Sequence, residues 1–318
     1  MLRYIGKRLV QMIPVLFAVA VLTFTLMYFV PGDPVQIMLG DGATPEQYAA
    51  ARANLGLDQP YLIRLWSYLT GILRLDFGNS YMQGSSVAKE LVLRFPRTFT
   101  LSSLSILFTI MIGIPIGIQC AIRANKLSDK VWMFLTMLGN SMPGFWLALL
   151  LVLLFSVKLG WLPSNGIGGI KYYILPVVAN SIGSLADIAR QTRSSMLEVI
   201  RSDYVVTARA KGLAERVVIW AHALPNALIP IITICGSRFG FMLGGTVIIE
   251  TVFSIPGIGT YMVNGINSRD YPIVQGSIIY IAFIFAFIML LTDLIYAYVD
   301  PRIKAQYMKS AKKVKKAA

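Results

Sequence analysis

The chain has 318 residues, of which 56% are hydrophobic and 14% charged, with 29 Lys and Arg against 15 Asp and Glu. A soluble domain carries about 25% charged residues, and a chain this apolar would expose large oily patches to water. The composition excludes a soluble globular protein. The basic excess reads as charge gathered on one side of a membrane, not as a nucleic-acid footprint.

Six apolar blocks are long enough to cross a bilayer core as helix: residues 9–30, 99–122, 131–157, 172–189, 227–249 and 274–299. Arg3, Lys7 and Arg8 precede the first block as in a signal peptide. However, "VPGDP" follows it where a cleavage site would show small residues, so it reads as a retained span.

The loop 31–98 carries helix signals. Thr44 and Gln47 have capping-box spacing, Pro45 suits a first turn, and Gly56 suits a stop. A second helix is predicted from near Asp58, with Tyr61, Leu62, Leu65, Tyr68, Leu69 and Ile72 on one apolar stripe. Two amphipathic helices are therefore expected, forming a cap on the outer membrane face or on the bundle. Docking of an outside partner is the second use of such a cap.

Several spans hold small residues or breaks. Span two reads "GIPIG" around Pro115, with Gly113 and Gly117. Span three is interrupted at Pro143-Gly144, and span five carries Gly236, Gly240 and Gly244 four apart on one face. Small residues let helices approach closely, and freed carbonyls beside a proline need a neighbour or a wet cavity. These features fit packing alone, and they fit a bundle that moves or encloses a path. No inverted internal repeat points to a self-contained secondary transporter.

Chemistry is sparse. His222 is the one histidine, and Cys120 and Cys235 both lie in apolar blocks, so no metal site is expected. An intramembrane serine protease needs a histidine on a span beside its serine, and His222 lies outside the spans. No catalytic residue is assigned. No G-x4-G-K-[ST] occurs, so energy for uphill work must come from an ion or another subunit. Within the spans the ionisable residues are Asp187, Arg238 and Asp293, which are costly in hydrocarbon. The two acids are placed near inner ends of their spans. Arg238 falls halfway through span five, where it either lines a path or pairs internally. Glu250 caps the outer end of the same span.

With the N-terminus inside, the inner segments hold 19 Lys and Arg, while the two short outer loops hold three. Both termini are therefore expected in the cytoplasm. The tail 300–318, with Lys309, Lys312, Lys313, Lys315 and Lys316, then anchors to anionic membrane lipid.

The longest inner loop spans 190–227. Ser202 suits an N-cap and Gly212 the C′ position, bounding "DYVVTARAK". Asp203 and Lys211 complement the helix dipole. A helix this short is marginal alone and gains order by docking. A second helix is expected from Glu215 to Pro225, acting as a lever onto span five.

Gly212, followed after nine residues by His222-Ala223-Leu224-Pro225, resembles the cytoplasmic loop of binding-protein-dependent permeases of ATP-binding-cassette (ABC) importers. In that family's pattern Val206, Thr207 and Ala208 stand at the EAA positions and His222 at an isoleucine. The "TARAKG" and "HAL-N" wording is similar to the dipeptide, oligopeptide and nickel branch. So are "PGDP" 31–34, "GLDQP" 56–60, "DFGNS" 76–80, "LGWLP" 159–163, "PGIG" 256–259, "RDYP" 269–272 and "DPR" 300–302. The resemblance is to the first permease of a pair.

The resemblance implies an all-α integral membrane protein of the bacterial cytoplasmic (inner) membrane: a six-span ABC importer bundle (99–299) with an extracytoplasmic helical loop. It implies a second homologous permease, two cytoplasmic ATPase subunits that bind ATP and Mg, and an extracytoplasmic substrate-binding protein. No cofactor is expected on this chain. The coupling helix would comprise Asp203, Tyr204, Thr207, Ala208, Arg209, Ala210, Lys211, Gly212 and Leu213. Arg238, Gly236, Gly240, Gly244, Glu250 and Asp187 would serve the path or span packing. Peptide is the expected cargo, nickel or a nickel chelate the alternative. A self-contained channel or carrier is the reading from another class.

Overall fold

The computed structural model describes residues 2–40 and 42–299. The basic tail and the "DPR" segment lie outside the described residues. Among the described residues the regular structure is helical, and pairing is limited to one bridge between Asn79 and Ser86.

The first span is α1 (Leu2–Phe29). Three short helices follow: α2 (Pro34–Leu39), α3 (Pro45–Asn54) and α4 (Tyr61–Leu73). The expected capping box is present on α3, where Thr44 and Gln47 each serve the other's backbone N–H. The short α2 was not anticipated; Asp33 caps it by accepting from Val35 N at 2.9 Å.

The second span, α5 (Val87–Ile122), starts well before the predicted Phe99 and runs through Pro96 and Pro115 without a break. Hydropathy marks only the part that lipid needs to be apolar, whereas the helix continues into the polar segment ahead of it. Span three is α6 (Leu127–Ser141) plus α7 (Gly144–Leu151), extended by a π-helical stretch (Val152–Lys158). The two halves meet at 98°, because Pro143 removes an N–H and clashes with the preceding turn.

The fourth span, α8 (Lys171–Ile200), outlasts its predicted end at Ala189. Next come α9 (Asp203–Ala210) and α10 (Glu215–Val217). A π-helical stretch (Val218–Ala223) joins α10 to α11 (Leu224–Val252). Here the expected break at Pro225 is absent. The π-helical turn just before Pro225 takes up the local misfit of its missing N–H, so Glu215–Val252 is one continuous rod. The chain closes with α12 (Ile258–Asn267) and α13 (Tyr271–Val299). Five helices are long and apolar enough to cross a membrane, and the bent α6–α7 pair supplies a sixth.

The bundle is centred on α5 and α8. A Cβ at Gly117 would lie 2.5 Å from Thr192 Cβ and 2.6 Å from the Ala189 carbonyl, so glycine is what lets α8 come this close. Asn180 Nδ2 and Ser181 Oγ donate across to Ser105 at 3.1 and 3.0 Å. The glycine face of α11 meets α13 in the same way. A Cβ at Gly236 would overlap Thr292, and one at Gly240 would stand 2.9 Å from the Phe285 ring. At the end of the bundle that carries the N-terminus, Arg193 grips buried Asp129 with two bonds of 2.7 Å, tying α6 to α8.

Candidate functional site: a helical clasp and a distal platform

Beyond Ile200 the chain turns through Ser202, which holds the extended N-cap conformation. Its hydroxyl donates back to Val199 O at 2.6 Å and does not cap α9 as expected. The exposed first turn of α9 therefore has no side-chain cap, and the acidic Asp203 stands within it. At the other end Gly212 has φ +78°, the left-handed C′ geometry that glycine adopts without strain.

The eight-residue α9 has two faces. Val205 and Ala208 are buried against Met196, Ile118, Val218, Ile219 and Ala223. Asp203, Val206, Thr207 and Ala210 point outward, joined by Tyr204, Lys211 and Leu213 at its flanks. Arg209 turns inward. It makes bonds of 2.7 and 3.0 Å to Glu215 across the Gly212 turn and reaches Ile200 O at 3.4 Å. The Glu215 hydrogen bonds raise the guanidinium's pKa still further. Ala208 and Arg209 thus belong to the inner face of the predicted set. Val206, an EAA position left out of the coupling set, lies on the outer face; its i, i+3, i+4, i+7 relation to Asp203, Thr207 and Ala210 was the available signal.

This clasp fixes α9 to the foot of the Glu215–Val252 rod. Farther up the rod, Arg238 Nη2 stands 2.6 Å from Asp187 Oδ2, and Arg190 Nη2 holds the other oxygen at 2.8 Å. Asp187 is mid-helix in α8, which runs on past the predicted apolar block; the charges after Ala189 end the apolar run but not the helix. Asp293 pairs with Arg8 at 3.0 Å.

Glu250 is not an exposed cap. It is wholly buried, accepting from Thr98 Oγ1 at 2.6 Å, Thr246 Oγ1 at 3.2 Å and Thr260 N at 3.1 Å. Thr98 Oγ1 accepts in turn from Ile258 N at 2.9 Å. A Cβ at Gly257 would lie 2.5 Å from the carboxyl group, which is why "PGIG" can wrap around it. Gly236, Gly240 and Glu250 thus stand at close contacts between elements.

At the end opposite the N-terminus, motifs far apart in sequence converge. Asp270 accepts from Ser80 Oγ at 2.6 Å and Met82 N at 3.2 Å, and Tyr271 OH donates to Gly32 O at 3.2 Å. Val35, Leu57 and Tyr271 share one small core with Tyr81, whose phenol burial pushes up to about 12. Arg52 bridges Asp33 and Asp58. "PGDP", "GLDQP", "DFGNS" and "RDYP" therefore build one platform. Among the described residues no group of His, Cys, Asp or Glu is placed to hold a metal ion.

Residues 113–305 match the family model described as binding-protein-dependent transport system inner membrane component, and residues 1–102 its N-terminal companion. The chain is 41% identical over 304 residues to a glutathione transport system permease protein of Salmonella typhi, covering 96% of this chain and 99% of that one. It is 41% identical over 306 residues to a putative peptide transport system permease protein of Brucella abortus, covering 94% and 98%. The inward-facing MetNI methionine ABC transporter shares the fold, with a TM-score of 0.58 at 18% identity over 66% of this chain and 96% of that one. The glycine-packed bundle and the clasped α9 loop thus sit in a multi-pass membrane protein that belongs to the binding-protein-dependent transport family, as a permease subunit of an ABC importer.

Proposed function

We propose that this permease carries peptides, glutathione-like tripeptides among them, and that the outer face of α9 is where a cytoplasmic ATPase subunit pushes. The observation that carries the mechanical part is continuity: α9 is clasped by Arg209 to a helix that runs unbroken from Glu215 to Val252. A force on Asp203, Val206, Thr207 and Ala210 is then delivered to the rod that bears Arg238. Two ATPases closing on ATP would draw two such loops together and reopen the path outward. ATP and Mg reside on those subunits.

The cargo reading rests on the names of relatives that match nearly the whole chain. The positive-inside charge bias supports cytoplasmic termini, a cytoplasmic α9 and an outward platform. A second homologous permease completes the path, and a substrate-binding protein lands on the platform built around Asp270 and Asp33. Arg238 lines the path: its side chain stays 34% exposed even while paired with Asp187.

The test is ATP-driven uptake by the reconstituted importer, with di- and tripeptides, glutathione and nickel chelates competing. Gly212→Pro forbids the φ of +78°, and Arg209→Glu sets two acids face to face. Both variants should insert normally and lose uptake. Unchanged uptake in both removes α9 from the coupling role, and competition by nickel chelates alone removes the peptide reading.

A further inference from the structure

The structure assigns α4 a second face, and we infer that this face rests in the lipid headgroup boundary, with Trp66 as its anchor. Tyr61, Arg64 and Tyr68 hold α4 to the last turns of α1. Thr25 and Tyr61 share a hydrogen bond of 2.8 Å. The Phe24 ring lies 5.5 Å from both Tyr61 and Tyr68, and Arg64 sits over Tyr28 at 5.3 Å.

Beside that packed stripe runs another. Leu62, Trp66 and Leu73 fall within about 40° of one another at about 100° per residue. They are 73%, 70% and 85% exposed. Leu62 was expected to pack with Tyr61; instead it turns away. The polar Ser67, Thr70 and Arg74 follow round the helix on the remaining side.

Depth decides what covers the stripe. Thr25 lies one turn, about 6 Å, inside the end of α1 at Phe29. The side chains of Tyr61, Arg64 and Tyr68 therefore meet α1 within its last turns, near the end of an apolar span, the level at which interfacial helices lie. On another side of α1, Leu22, Leu26 and Phe29 are exposed apolar residues of the same span. Tryptophan favours this boundary because its ring is apolar and its N–H polar. The inference rests on the span assignment and not on cargo or coupling.

The full chain in phosphatidylcholine vesicles, with Trp66 as sole tryptophan (Trp132, Trp146, Trp161 and Trp220 changed to Phe), should lose emission most to lipids brominated near the headgroup. No quenching, or quenching only by bromines at the chain ends, overturns the placement. The unsubstituted importer, photolabelled by lipids carrying a diazirine near the headgroup, gives an independent reading. Adducts should map to both α1 and Leu62–Leu73. Adducts on α1 with none on α4 mean that protein covers the stripe and overturn the inference.

Discussion

Arg238 and Asp187 meet at 2.6 Å between the middles of two spans, and Arg190 shares the same carboxylate. One acid thus balances two guanidinium groups. Breaking a fully buried pair costs about 3–5 kcal/mol. The Arg238 side chain is 34% exposed and Asp187 19%, so screening lowers the expected cost of Asp187→Asn to about 1–2 kcal/mol. Thermal unfolding in detergent should show the loss. Arg238→Gln added to Asp187→Asn should recover part of it, and strict additivity would show that the pair is not coupled.

The Thr98 hydroxyl is both donor to Glu250 and acceptor from Ile258 N. Thr98→Val leaves both groups short of a partner in a buried site, at about 1–3 kcal/mol each. Gly259→Ala should also destabilise, by about 1–3 kcal/mol, because its Cβ would sit 2.5 Å from the Val247 backbone Cα. Both variants should unfold earlier than the parent on heating. Thr98→Ser, which keeps the hydroxyl, should behave like the parent.

The glycine face of α11 predicts a graded series. An alanine Cβ would overlap Thr292 at position 236, crowd the Phe285 ring at 2.9 Å at position 240, and make ordinary contact with Ile281 at 3.6 Å at position 244. Gly236→Ala should lower the melting temperature most, Gly240→Ala less, and Gly244→Ala least. A flat series would mean that α11 and α13 are not tightly apposed in the membrane.

Asp33 predicts a pH effect on the platform. Burial pushes its carboxyl up, but hydrogen bonds from Tyr48 and Val35 N, with the Arg52 guanidinium, hold it below the ordinary carboxylate value. A depressed folded value stabilises the folded loop above the unfolded pKa of about 3.9. That contribution is lost as pH falls through the folded value. Limited proteolysis of the α2–α4 segment with an acid-active protease should accelerate over that acidic range. Asp33→Asn should be cleaved readily at neutral pH and lose much of the acid dependence.

The sequence alone determined which segments are long and apolar, where α3 is capped, that Pro143 breaks a span, and that Gly212 ends a short charged helix. These depend on hydropathy, on capping over three or four residues, and on the φ a residue tolerates, all of which are local. Only the tertiary structure decided that Arg209 turns inward to Glu215, that Asp187 reaches Arg238, that Glu250 is a buried hub and that Leu62 leaves the packed stripe of α4. It also brought four dispersed motifs together around Asp270 and Asp33. The Asp187–Arg238 pair, the Glu250 hub and the motif platform join elements distant along the chain, while Arg209 and Leu62 are settled by how their short helices dock. Periodicity shows that a residue has a side, but packing chooses what stands on that side.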